Sequence, residues 1–114
     1  MGVPAADVEA VLRALADAKR RRILALIRDR PHAVGEIADR LAMSQQAVSY
    51  HLRTLRDAGL VAERRERTRH LFVVRTDGLQ AVRELLDGFW PTRLAALKQA
   101  AEAEARPARL DAEA

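Results

Sequence analysis

The sequence predicts a mainly α fold that carries one small β-hairpin, and three observations predict it. Apolar residues recur at helical intervals in successive segments on both sides of Gly59. Only Ala42 and Met43 separate the third segment, ending at Leu41, from Ser44, which can cap the fourth. After Gly59 the period changes to two short runs of β-forming residues around a polar stretch.

Val8, Val11, Leu12 and Leu15 lie at helical spacing behind a cap at Asp7 and predict a short first helix. Asp17 caps a second helix, in which Ile23, Leu24, Leu26 and Ile27 form the buried side, and which ends before Pro31. Lys19, Arg20, Arg21 and Arg22 crowd its opening turns. Cations are mildly unfavourable at that end of the helix dipole, so helix stability does not explain them, whereas contact with a phosphate would. Val34, Ile37, Ala38 and Leu41 make a brief third helix, and Ser44 opens a fourth that runs to about Ala58, where Gly59 stops it. So short a gap forces helices three and four into a sharp corner, which is helix-turn-helix spacing. Leu60–Glu63 and Leu71–Val74 then read as the strands of a hairpin, with polar Arg64–His70 between them. From Asp77 the helical period returns through Leu79, Val82, Leu85, Leu86 and Phe89. Pro91 imposes a kink near Gly88 or a break, after which Leu94, Leu97 and Ala101 continue the pattern. One domain is expected over residues 1–104, with 105–114 a flexible tail.

At 114 residues the chain has the size of one compact domain, and its lack of cysteine excludes disulfides, thiolate metal sites and cysteine nucleophiles. The longest apolar runs, Ile23–Ile27 and Leu71–Val74, fall far short of the roughly 20 residues that span a bilayer. Met1–Asp7 lacks a signal-peptide layout, so a cytoplasmic protein that does not engage the membrane is expected. The formal charge of +4 is unevenly spread. Residues 40–75 hold eight basic and three acidic side chains, against seven and six before them and five and seven after. Such a patch suits either a phosphate-bearing partner or a solvated arginine-rich face.

The fourth helix sharpens that choice. At about 100° per residue, Val48, Leu52 and Leu55 gather on one side with Ala47 and His51, while Gln45, Gln46, Ser49, Tyr50 and Arg53 gather on the other. Gln pairs bidentately with adenine and Arg with guanine, Ser reaches bases or phosphates, and Tyr donates to phosphate or packs on a thymine methyl. Ser44, Gln45, Gln46, Ser49, Tyr50 and Arg53 are therefore candidates for reading base edges in duplex DNA, although a plain solvent-facing helix has the same polarity.

Ile37-Ala38-Asp39-Arg40-Leu41, followed by Ser44-Gln45-Gln46-Ala47-Val48-Ser49-Tyr50-His51-Leu52-Arg53-Thr54-Leu55-Arg56-Asp57-Ala58-Gly59-Leu60-Val61, resembles the winged helix-turn-helix core of the ArsR/SmtB bacterial transcription repressors. The likeness extends upstream through Leu15-Ala16-Asp17-Ala18-Lys19-Arg20 and Ile23-Leu24 and covers roughly residues 8–104. It implies a homodimer whose fourth helix enters the major groove, with the hairpin as a wing against the backbone or minor groove, and two-fold symmetry then calls for an inverted-repeat operator. Lys19, Arg20, Arg64, Arg65, Arg67 and Arg69 then become candidate DNA-backbone contacts, the last four clustered at the wing tip. Two positions depart from the pattern: Tyr50, where members often carry Arg, and the wing turn Glu66-Arg67-Thr68-Arg69, which lacks the glycine common there.

No metal and no cofactor is expected. The third-helix stretch that holds cysteines in metal-sensing relatives has none, no histidine follows His70, and His32, His51 and His70 are scattered over different elements. His51 faces the core side and suits a packing role. No nucleophile elbow, phosphate loop or catalytic triad is present, and the Glu36–Asp39 pair reads as a solvated surface, so an enzyme is not expected. Leu86, Phe89, Trp90, Leu94 and Leu97 exceed what three helices and a hairpin can cover, and pairing them with Val8, Val11, Leu12 and Leu15 gives a candidate dimer interface. The competing class is a winged module that binds protein or RNA on the same surfaces without operator specificity. An organic ligand, a protein partner or no effector at all remain open for its control.

Overall fold

Four polar or glycine residues punctuate the helices where the sequence places them. The computed structural model of the chain describes residues 7–90 and 96–104. The order is α1 (Val8–Ala16), α2 (Ala18–Ile27), α3 (Val34–Leu41), α4 (Gln45–Asp57), β1 (Val61–Glu66), β2 (Arg69–Val74) and α5 (Asp77–Asp87). Residues 96–104 are also helical. Packing divides the chain into two units, 1–83 and 84–114. The helical run expected to reach Phe89 stops at Asp87, and Gly88, Phe89 and Trp90 form a turn; Pro91, Leu94 and the tail 105–114 lie outside the described residues.

Asp7 accepts the Glu9 N–H at 3.1 Å to open α1, and Ser44 Oγ accepts the Ala47 N–H at 3.0 Å to open α4. Ala33 cannot cap α3 with an oxygen, so Glu36 reaches back to the Ala33 N–H at 3.2 Å, the half of a capping box that needs no polar cap residue. α3 ends on Ala42, whose φ of 54° lies in the left-handed region and whose N–H bonds to Ala38 O, as does that of Met43 at 3.0 Å. α4 ends the same way on Gly59, at φ 79°, with the Leu60 N–H on Leu55 O at 2.9 Å. Glycine suits that conformation and alanine does not. Ala42→Gly is therefore expected to raise the urea midpoint, stabilising by about 0.5 to 1 kcal/mol, because relieved strain of ~1–2 kcal/mol exceeds the added unfolded-state freedom.

The core draws on every element up to the hairpin: Val11 and Ala14 of α1, Ile23 and Ile27 of α2, Ile37 and Ala38 of α3, and Val48, Leu52 and Leu55 of α4, closed by Leu60, Val61 and Leu71. Gly78 fits beneath this layer because a Cβ there would stand 3.0 Å from both Ala58 O and Leu60 Cδ2. The hairpin strands run further than their apolar runs indicate. β1 and β2 pair antiparallel from Val61–Val74 out to Glu66–Arg69, which leaves only Arg67 and Thr68 in the turn. Backbone bonds between His32 and Phe72, at 3.2 and 2.8 Å, add a bridge that fastens β2 to the segment before α3.

Of the α1 residues in the expected dimer surface, Val11 is fully buried within the chain's own core, Leu15 packs against that core, Val8 is half-buried, and Leu12 is 42% exposed.

Candidate nucleic-acid interface

α4 supplies the site its rigid base. Val48, His51, Leu52 and Leu55 are buried, while Ser44, Gln45, Gln46, Ser49, Tyr50 and Arg53 are all exposed, Tyr50 to 60%. Every residue expected to read bases therefore lies along one outward strip of the helix or at its cap. Tyr50 packs edge-on against the His51 ring at 5.5 Å, which ties one outward side chain to the buried layer.

His51 is itself part of a cluster at the α1–α2 corner, where Asp17 alone separates the two helices. The Asp17 carboxylate accepts the N–H groups of Lys19 and Arg20 at 2.7 and 3.2 Å. Arg20 reaches the opposite way, donating from Nε to Ala14 O at 2.7 Å and from Nη2 to Arg13 O at 3.1 Å, with Nη1 3.3 Å from His51 Nδ1. Arg21 likewise donates to Leu15 O at 2.6 Å. These cations satisfy the orphan carbonyls at the C-terminal end of α1, so helix stability does explain them. With its side chain only 13% exposed, Arg20 is held within this internal network. Lys19 remains exposed.

The corner predicts a two-step acid response. Burial pushes the His51 pKa below 6.5, helped by the positive charges of Arg20 and Lys19 and opposed by Asp17. The folded state thus favours neutral His51, and the stability this gives is complete above pH 6.5 and lost as pH falls below it. Partial desolvation tends to raise the Asp17 carboxyl, but the Arg20 and Lys19 N–H groups and the Arg20 guanidinium outweigh it and hold it below 3.8. Glu36 and Glu63 are held below 4.5, the first chiefly by the Ala33 N–H and the second by its bond from His70. Their contributions fade only at lower pH, below the ordinary carboxylate values. A melting curve against pH should fall from about 6.5 downward, and His51→Gln should remove that first slope while leaving the more acidic one. An unchanged first slope in the variant would assign it elsewhere.

The hairpin places its arginines along both strands and not only at the tip. Arg64 and Arg65 lie in β1, Arg69 in β2, and Arg67 alone of the four in the turn, at φ 56°. All four are exposed. Arg64 donates to Glu66 at 3.3 Å; Arg65 lies 3.1 Å from His70, which also pairs with Glu63; and Arg69 donates to Glu36 at 2.6 Å. Glu36 was not visible as part of the site, because a lone acid on a short helix carries no sign of the strand that folds over it. Among the described residues no three His, Asp or Glu side chains converge as a metal-ligand group, and no helix is long and apolar enough to cross a membrane.

Beyond α4 and the wing, Leu86, Phe89, Trp90 and Leu97 are exposed, Phe89 to 76%. Leu79 and Leu85, absent from the expected interface, are exposed too.

The helix-turn-helix domain family matches residues 15–64, the stretch from the end of α1 to the middle of β1. The HTH-type transcriptional regulator Rv2034 of Mycobacterium tuberculosis is 42% identical over 91 residues, 80% of this chain and 85% of that protein. The transcriptional activator HlyU of Vibrio cholerae is 38% identical over 76 residues, 67% of this chain and 70% of that protein. Among solved structures, the homodimeric winged helix-turn-helix DNA-binding domain Mb0332 of Mycobacterium bovis, described as a possible ArsR-family regulator, aligns with a TM-score of 0.58 at 33% identity, covering 85% of this chain and 79% of that one. With the outward strip of α4, the paired wing and these likenesses together, the chain belongs to the ArsR/SmtB-type winged helix-turn-helix regulators, DNA-binding proteins of transcription.

Proposed function

We propose that this regulator acts in the cytoplasm as a homodimer that represses transcription from an inverted-repeat operator, with α4 in the major groove and the wing on the backbone. The observation that carries the reading is the exposed strip Gln45, Gln46, Ser49, Tyr50 and Arg53 on a helix whose other side is locked into the core. A second copy would cover apolar side chains left in solvent, among them Leu12, Leu86, Phe89 and Leu97. Two-fold symmetry then sets half-sites about one helical turn apart. Selection from random duplex DNA should return a motif with dyad symmetry; no enriched motif, or one without the dyad, defeats the proposal. The activator name of the HlyU relative supports the opposite direction of control, and a reporter with the recovered operator placed over its promoter decides between them.

Lys19, Arg64, Arg65, Arg67 and Arg69 are the proposed phosphate contacts. Arg67→Ala should weaken every duplex alike and lower the salt slope by about one, as for one lost phosphate contact. An unchanged slope would take Arg67 off the DNA.

A further inference from the structure

We propose that Glu36 is a built-in competitor for phosphate, which masks Arg69 in the free protein and so holds down the sequence-independent affinity of the wing. The inference rests on the wing being a DNA contact. Glu36 is not a swinging surface acid: the Ala33 N–H fixes Oε1 at 3.2 Å, the Arg69 guanidinium donates to that same oxygen at 2.6 Å, and Arg30 approaches Oε2 at 3.7 Å. One carboxylate thereby ties the start of α3 to β2 and to the loop before α3. Its hydrogen bond from the backbone N–H of Ala33 holds its pKa below the ordinary carboxylate value.

A DNA phosphate that engages Arg69 must take the place of this carboxylate. The exchange swaps one anion for another and leaves Glu36 with only the longer Arg30 ion pair, so Arg69 contributes less affinity and less salt dependence than an unpaired arginine. The same arrangement recurs on the hairpin, where Glu66 holds Arg64, and Glu63 acts on Arg65 through His70. Among the described residues, Arg67 is the wing arginine with no such partner, and it stands in the turn at φ 56°. The wing therefore offers one open cation at its end and three shielded ones along its strands. A regulator built this way gains little from wandering onto arbitrary duplex, and its residence depends more on α4.

Glu36→Gln tests the mask. Glutamine keeps an oxygen for the Ala33 N–H, so the cap and the melting temperature should survive. The variant should bind non-operator duplex about two- to fivefold more tightly at moderate salt, with a salt slope steeper by up to about one. It should also elute from heparin at higher salt, a polyanion that requires no operator. Glu36→Gln combined with Arg69→Ala should abolish both gains. Unchanged or weaker binding by a folded Glu36→Gln protein, on duplex and heparin alike, overturns the mask. A heparin shift in a protein that binds no duplex would instead leave the mask standing and sink the DNA reading of the wing.

Discussion

Arg20→Ala is expected to lower the free energy of unfolding by about 2 to 4 kcal/mol, the range for stripping a largely buried, charged donor from several acceptors at once. The substitution orphans the carbonyls of Ala14 and Arg13, leaves Asp17 facing no guanidinium, and takes the neighbour from His51 Nδ1. Arg20→Lys should recover only part of the loss, because a point charge can sit near Asp17 but cannot fork toward two carbonyls and a ring nitrogen. Urea unfolding of both variants measures it. Were Arg20 a phosphate contact, the alanine variant would keep near-native stability and lose affinity for all duplexes instead, so one pair of measurements separates the two roles.

Gln46→Ala and Gln45→Ala should each cost about 1 to 3 kcal/mol on the selected operator, or roughly 5- to 150-fold in Kd. Each should relax preference at particular base pairs and leave affinity for unrelated duplex nearly unchanged. Both side chains are exposed on a helix anchored by Val48, Leu52 and Leu55, so stability should move by less than about 0.5 kcal/mol. A loss spread evenly over all sequences would show that these residues touch the backbone and not base edges.

What the sequence made legible is whatever one residue signals to its own neighbourhood. Asp7, Asp17, Ser44 and Gly59 each announce a helix end by local chemistry, and each sits at that end in the fold. The two faces of α4 were equally readable, since Val48, Leu52 and Leu55 share a phase. The strand ends were not: residues 63–70 are exposed on both faces of the hairpin, so no apolar alternation marks where pairing stops. Periodicity also cannot distinguish Val11 from Leu12, because both lie on the one apolar face of α1, opposite Glu9 and Arg13, and only the packed chain shows which edge of that face its own core takes. Arg20 and Glu36 act through side chains that cross to other elements, and no spacing rule encodes a reach that depends on how those elements meet.

The corner between α3 and α4 has no slack. Of its three residues, Ala42 and Met43 both bond back to Ala38 O, and Ser44 is engaged forward with Ala47. A hinge needs backbone torsions free to change, and here each is held by a bond that motion would break. The pair of helices must therefore travel as one body. For the two-fold assembly proposed above, an inducing signal is then expected to alter the separation at which two half-sites are grasped and to leave the base preference of each half-site unchanged. Binding to operators lengthened or shortened by single base pairs, with and without a candidate effector, would register such a signal as a change in preferred spacing with the half-site sequence untouched.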